Sequence, residues 1–463
     1  MDEFDVVVIG GGPAGENVAG RCAECGLSIA VVEAELLGGE CAYWACMPSK
    51  TLLRPGHALA SARRVPGARE AVTGELDVAA ALARRDWITG GWDDAGQVAW
   101  LEGVGGTLVR GHGRLAGERV VAVDQPDGST RRLSARRAVV VATGSGAAIP
   151  PIEGLREIRV WDTRAVTSAK DVPRRLLVLG GGVVGVEMAQ AWRRLGAAEV
   201  TIIEALDRLV ANEEPFVGEE LRQAFEAEGI TVVTGTKVVR AEREADDAPV
   251  TVTLEDGRRQ TGDELVVAVG RRPRTENIGL ETIGLEPGRY IEVDDQLRAT
   301  AVPGGWLYAI GDCNGRALLT HMGKYQGRIA TDVIRGRTVE AWADHSAVPR
   351  VVFTDPEVAS VGLTERAARE QGIDVRTVSS PLGSVAAASV SGEGITGTAQ
   401  LVIDDERRVV VGATFTGPDI AELLQSATIA VAGAVPVDVL WHAVPPFPTF
   451  SEVWLRLLEA YGL

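Results

Sequence analysis

Twice in 463 residues the same local order recurs: a short apolar run, a glycine-rich turn, a helix-forming stretch, a second apolar run and an acid. In the first copy, Val6-Val7-Val8-Ile9 leads into Gly10-Gly11-Gly12-Pro13-Ala14-Gly15. A helical stretch follows from about Glu16 to Cys25, and Ile29-Ala30-Val31-Val32 ends at Glu33. In the second, Leu176-Leu177-Val178-Leu179 leads into Gly180-Gly181-Gly182-Val183-Val184-Gly185. A helix runs to about Leu195, and Val200-Thr201-Ile202-Ile203 ends at Glu204. Continuous apolar runs of this length suit strands buried on both faces of a parallel sheet. Gly10 permits the tight turn, Gly12 lets the backbone approach a pyrophosphate, and Gly15 lets helix and strand pack closely. Gly180, Gly182 and Gly185 repeat those roles. Each helix N-terminus offers unpaired N–H groups and a positive dipole end to phosphates, and Glu33 is placed to hydrogen-bond an adenosine ribose. One such fingerprint is a weak signal. Two complete copies predict two dinucleotide sites in a chain of α/β class, on two doubly wound Rossmann-like domains.

Composition narrows the rest. Acidic residues outnumber basic ones, 64 to 47, for a formal charge of -17. That argues against a nucleic-acid binder, which carries a basic stripe, and against docking on an anionic membrane. The acidic start, Met1 to Asp5, is unlike the basic start of a signal peptide. The longest apolar runs, such as Leu176 to Val186, are far short of the roughly 20 residues that span a bilayer. A cytoplasmic enzyme is the expectation. Two further apolar runs resemble strand ends at a ligand: Ala138 to Ala142 followed by Thr143-Gly144-Ser145, and Leu265 to Val269 followed by Gly270-Arg271. A third, Leu307-Tyr308-Ala309-Ile310, ends in Gly311-Asp312, which places a carboxylate against a hydroxylated ligand chain.

The five cysteines are too few for a secreted disulfide scaffold. Cys22 and Cys25 fall inside the first fingerprint helix and read as core or partly buried thiols. No His/Cys cluster accompanies them, so no zinc site is expected. Cys313 reads as packing. Cys41 and Cys46 lie in Gly38-Gly39-Glu40-Cys41-Ala42-Tyr43-Trp44-Ala45-Cys46-Met47-Pro48-Ser49-Lys50. On a regular helix five positions are about 7.5 Å of rise, whereas a disulfide wants its Cα atoms within about 7 Å. An irregular path past the paired glycines and Pro48 would allow the bond. Two unpaired, buried small side chains are the competing reading.

These residues, in this order, resemble the FAD-dependent pyridine nucleotide–disulfide oxidoreductases, the family of dihydrolipoamide dehydrogenase, mercuric reductase and glutathione reductase. The resemblance covers essentially the whole chain. It implies FAD on the first fingerprint and a nicotinamide nucleotide on the second, with Asp312 on the flavin's ribityl chain. It implies an FAD domain in two parts (1–151 and 268–341), an inserted NAD(P) domain (152–267) and an α+β dimer-interface domain (342–463), hence a homodimer. It makes Cys41 the interchange thiol that meets the substrate and Cys46 the thiol that faces the flavin. Lys50 would sit near the flavin and pair with Glu187. An ammonium there favours thiolate and anionic reduced flavin. Glu204, an acid at the end of the second strand, accepts from a ribose 2′-OH and repels a 2′-phosphate, which favours NADH over NADPH. Arg208 nearby tempers that preference.

Three departures bear on function. The middle of the cysteine segment, Ala42-Tyr43-Trp44-Ala45, is bulkier than the family pattern. No cysteine follows Cys313, where mercuric reductases need a C-terminal pair. At the C-terminus, the family's His-Pro motif with a downstream glutamate reads Phe447-Pro448-Thr449-Phe450-Ser451-Glu452. Phenylalanine cannot move a proton, and general acid–base help is typically worth roughly 10² to 10⁴ in rate. The expectation is electron transfer from NADH through flavin and the cysteine pair to a small acceptor other than a usual disulfide, such as a quinone, a metal complex or another electrophile. The alternatives are a disulfide reductase whose proton comes from His442, Glu452 or water, and a flavoprotein component of a larger complex.

Overall fold

The computed structural model describes residues 1–463. The chain groups into two compact units. One comprises Met1–Pro48, Asp86–Ala147 and Arg271–Asp344; the other comprises Ser49–Arg85, Ala148–Gly270 and His345–Leu463. The second unit holds both the second fingerprint and the C-terminal segment.

The first unit is built on a seven-stranded sheet. Across it run Thr107–Arg110, Ile29–Glu33, Asp2–Ile9 and Thr130–Val141, all parallel, then Val120–Asp124 and His112–Leu115 as an antiparallel extension. Leu307–Ala309 also pairs in parallel with Thr130–Val141. The central strand explains why its sequence is uninterrupted valine. Val6 and Val8 face a core with Val18, Ala19 and Cys22 of the first fingerprint helix. Val7 and Ile9 face a second core with Val121, Val123, Leu133 and Trp306. Alternate side chains leave opposite faces of a strand, so a strand covered on both sides must be apolar at every position. Each such buried side chain contributes roughly 1.5–3 kcal/mol relative to exposure.

In the second unit a four-stranded parallel sheet has the order Ile230–Val233, Glu199–Ile203, Arg175–Leu179, Glu264–Val267. The same two-sided division recurs, with Leu176 and Val178 in one core and Leu177 and Leu179 in another. A three-stranded antiparallel sheet (Val238–Arg243, Val250–Leu254, Arg259–Gly262) adjoins it in sequence. The C-terminal segment forms a five-stranded antiparallel sheet, ordered Pro349–Val352, Glu357–Gly362, Val409–Gly417, Thr398–Asp404, Val375–Pro381. The Val453–Tyr461 helix packs on it, with the Trp454 and Phe415 rings 6.3 Å apart. Two dinucleotide-type α/β sheets and a C-terminal α+β region are the architecture expected from the sequence. No helix is long and apolar enough to cross a membrane.

Three local details differ. The first fingerprint helix begins at Pro13, sooner than near Glu16, because the last three fingerprint residues already form the first turn; proline lacks the N–H that position would leave unpaired. The strand read as Ala138 to Ala142 starts back at Thr130, and its antiparallel partners were not foreseen. Gly311 and Asp312 open a short 3-10 turn, Gly311–Asn314, instead of ending the strand.

Candidate functional site

In the first unit, Gly10 adopts φ +103°, and a Cβ there would lie 2.4 Å from the Ala142 carbonyl oxygen. A Cβ on Gly15 would lie 2.1 Å from the Gly10 carbonyl oxygen, so strand and helix touch backbone to backbone. Gly12 is different: a Cβ there would meet nothing nearer than Gly39 Cα at 4.0 Å. The Pro13–Glu24 helix has no side-chain cap at Gly12, so its first N–H groups face that open space. Ala14 packs against Gly311 and Gly323. The Glu33 carboxylate accepts from Gly11 N and Glu35 N, both at 2.8 Å, and burial pushes it above the usual carboxylate range. The Thr143 hydroxyl oxygen, next to Gly144, is buried without a partner. Asp312 accepts from the Ser145 hydroxyl, and Arg271 Nε reaches Ser145 Oγ at 2.6 Å and Asp312 at 3.5 Å. A cradle that only glycine leaves open, an uncapped helix start, an orphaned buried hydroxyl and a carboxylate in a polar cluster fit a flavin dinucleotide. Ser145 and Arg271 were passed over as site residues because neither type is distinctive in that context.

The second unit repeats the construction. A Cβ on Gly180 would lie 2.5 Å from the Ala268 carbonyl oxygen and one on Gly185 would lie 1.9 Å from the Gly180 carbonyl oxygen, yet one on Gly182 would meet nothing within 4 Å. Glu204 accepts from Gly181 N at 2.6 Å and Leu206 N at 2.7 Å. Arg208 is engaged by the Ala211 carbonyl at 2.9 Å and by Asp207. Gly270 accepts from Ala148 N, closing the stretch after the Glu264–Val267 strand. In the Val183–Arg194 helix, Glu187 is buried, with one carboxylate oxygen accepting from Lys50 Nζ at 2.6 Å and the other from Phe353 N at 3.0 Å. The Lys50 ammonium also lies 4.9 Å from the Phe353 ring centroid. The Lys50–Glu187 pair expected from the sequence is therefore formed.

The cysteine segment is irregular in the way its spacing requires. The Gly39–Tyr43 helix stops, Trp44 takes φ -135°, and a new helix starts at Cys46 and runs to Arg64. The break lets the Cys41 thiol hydrogen-bond Cys46, and this bond, with burial, pushes the Cys41 thiol well up. Two neighbouring thiols lose their second proton reluctantly, so Cys41 keeps it. Thr320 Oγ1, at the start of the Thr320–Ile334 helix, lies 3.2 Å from Cys46 Sγ and also faces Cys41. Lys324, one turn further, favours the Cys41 thiolate through its charge. Sequence reasoning missed Thr320 and Lys324 as site residues, since neither falls in a recognisable motif; His321 between them is exposed.

The C-terminal motif carries no acid–base group at its head. Phe447 is 76% exposed. Glu452, five residues on, accepts from Arg456 at 2.9 Å. His442 is exposed.

Comparison with known proteins agrees with this geometry. Residues 4–327 match the pyridine nucleotide-disulphide oxidoreductase family, and residues 348–457 match that family's dimerisation domain. The chain is 36% identical to a dihydrolipoyl dehydrogenase of Thermus scotoductus, over 99% of this chain and 98% of the relative. It is 31% identical to a mercuric reductase of Lysinibacillus sphaericus, over 97% of this chain and 81% of the relative. The crystal structure of LpdA from Mycobacterium tuberculosis superposes with a TM-score of 0.87 at 27% identity, covering 100% of both chains.

Proposed function

The chain belongs to the pyridine nucleotide-disulphide oxidoreductases, NAD(P)H-dependent FAD enzymes, and from that membership we propose a particular member: an NADH-dependent reductase of small acceptors other than the usual disulfides. FAD is assigned to the first fingerprint, where Gly10 and Pro13 shape the turn and Gly12, Ala14 and Gly15 would present backbone N–H groups to its pyrophosphate. Glu33 takes its ribose, and Thr143, Gly144, Gly311 and Asp312 take the remainder of the chain. The nicotinamide nucleotide is assigned to Gly180, Gly182, Gly185 and Gly270. Glu204 accepts from the ribose 2′-OH and repels a 2′-phosphate, hence NADH. When bound, the flavin carries two electrons from reduced nicotinamide to the sulfur pair.

The chain's own residues do the rest. Cys46, beside the Thr320 hydroxyl, holds the thiolate, and Cys41 keeps the thiol and meets the acceptor. Lys50, fixed by Glu187, contributes a positive charge that favours the anionic forms. The observation that carries the choice of acceptor is Phe447 at the histidine position. Without a proton shuttle there, dihydrolipoamide or glutathione-type turnover loses roughly 10² to 10⁴ in rate. The apolar side chain of Trp44, in the cysteine segment, suits a quinone or another small electrophile. The dimerisation-domain match supports a homodimer. Steady-state NADH oxidation with quinones, lipoamide and low-molecular-weight disulfides tests the reading. Quinone turnover is expected to lead, and preferred turnover of any disulfide overturns it. The dihydrolipoyl dehydrogenase relative supports a second reading, a disulfide reductase drawing its proton from His442, and a large rate loss in His442→Ala would favour that reading.

A further inference from the structure

One cavity in the first unit is linked to the sulfur pair through neighbouring residues, although neither Cys41 nor Cys46 lines it. It has a volume of about 430 Å³ and is lined by Pro13, Glu16, Asn17, Gln97, Trp100 and Lys324 among others. Three connections tie it to Cys41 and Cys46. Gln97 accepts from the Tyr43 hydroxyl at 3.1 Å, two residues from Cys41. Lys324 shares a helix face with Thr320, which touches Cys46. A Cβ on Gly39, at the start of the Cys41 helix, would lie 2.8 Å from Gly12 Cα, just ahead of the helix that carries Glu16. Gly323 and Gly327 bring the Lys324 helix against the Glu16 helix, since Cβ atoms there would lie 3.2 Å from Ala14 Cβ and 3.1 Å from the Ala14 carbonyl oxygen. Trp100 lies across Gly20, where a Cβ would be 3.1 Å from its ring, and is 42% exposed. Asn17 Oδ1 is buried without a partner in the same wall.

We propose that this cavity seats the acceptor, a planar quinone, and that Glu16 is the catalytic acid that protonates it, an in-subunit replacement for the histidine lost at Phe447. The proposal rests on the assignment of Cys41 and Cys46 as the electron-donating pair. Trp100 supplies a flat apolar wall. The Lys324 ammonium stabilises charge developing on a quinone oxygen, and Glu16 donates a proton to it. The balance closes. The Cys41 thiol and Cys46 thiolate lose two electrons and form a disulfide; the quinone gains them, takes one proton from Cys41 and one from Glu16, and leaves as hydroquinone. Glu16 is then reprotonated from water.

Burial pushes the Glu16 carboxyl up to about 7, so it still holds its proton near neutrality. Lys324 from the neighbouring helix opposes that rise and Glu33 from the adjacent strand reinforces it. Tyr43 and Cys41, from the Gly39–Tyr43 helix, are the other titratable groups nearby, and both are shifted up. Because the acid form does the work, the oxidation rate should fall as pH rises through 7.

The test uses FAD-loaded protein reduced by NADH and then mixed with menadione. Glu16→Gln should leave the NADH step unchanged, seen as the same long-wavelength thiolate–flavin absorbance. It should slow oxidation by menadione about 10²-fold or more and abolish the pH limb near 7. Glu16→Asp should recover part of the rate, and Lys324→Met should move the limb to higher pH. A protonated-carboxyl infrared band that titrates near 7 should be present in the wild type and missing in Glu16→Gln. Oxidation of Glu16→Gln within threefold of wild type, with the limb intact, overturns the assignment of Glu16. Absence of the long-wavelength band in the wild type fells the Cys41–Cys46 assignment itself, and this proposal with it.

Discussion

At the scale of single residues, the five cysteines show how environment divides one side-chain type into separate chemistries. Cys22 and Cys313 are buried, and burial pushes each thiol up to about 12. Cys313 Sγ also donates to the carbonyls of Val141 and Ile310. With a free thiol near 8.5, the thiolate fraction at pH 8 is roughly a quarter, against about 10⁻⁴ for these two. Iodoacetamide at pH 8 should therefore label Cys22 and Cys313 more than 10³-fold more slowly than free cysteine. Peptide mass spectrometry reads this directly, and prompt labelling of either site in native protein would contradict the burial. Their spacing inside a fingerprint helix was enough to read Cys22 and Cys25 as core or partly buried thiols, which is where the fold puts them. Glu16 was not legible in the same way. A glutamate in the first turn of a helix ordinarily reads as solvated and dipole-favoured; only the packing of two other helices around it creates the half-buried setting that keeps its proton.

At the scale of elements, the two fingerprints were legible because each glycine answers a separate demand. That separation gives a discriminating pair of substitutions. Gly182 has φ -76°, which any residue adopts, and a Cβ there meets nothing in the protein. Gly182→Ala should therefore leave the urea midpoint and FAD content unchanged while weakening NADH binding at least about tenfold, since the added methyl occupies the space a pyrophosphate needs. In Gly185→Ala the methyl would sit 1.9 Å from a backbone oxygen, and forcing helix and strand apart should cost roughly 1–3 kcal/mol or more. Chemical denaturation and NADH titration separate the two, and equal destabilisation by both would remove the distinction. The strands at His112–Leu115 and Val120–Asp124 escaped notice for a physical reason. In the first, His112 and Arg114 alternate with buried Gly113 and Leu115, too short a pattern to signal a strand; in the second, the run Val120 to Val123 is apolar but leads into no glycine-rich turn that would mark it as part of a site. The cysteine segment was legible only as a contradiction, a spacing too long for a regular helix, which the break at Trp44 resolves.

At the scale of the whole molecule, the C-terminal segment leaves apolar side chains in water. Ile429, Val439, Val444 and Phe447 are all exposed, Val444 to 84%. Single exposed apolar residues are ordinary, but a cluster along one stretch of chain in a region matching a dimerisation domain marks an association surface. The protein should therefore run in light scattering at twice its 48.8 kDa chain mass. A paired change, Ile429→Glu with Val439→Asp, should give a monomer without unfolding it, because both side chains are exposed in the single chain. That monomer distinguishes two sources for the acceptor's proton. If the donor comes from a partner subunit, separating the subunits should abolish menadione turnover. If Glu16 and Lys324 supply it from within one subunit, FAD-loaded monomer should keep its menadione rate within about fivefold of the dimer, because general acid help from a distant donor would be worth at least 10². A monomer that binds FAD, shows the long-wavelength band with NADH and yet reduces no quinone would place the missing group on the other chain.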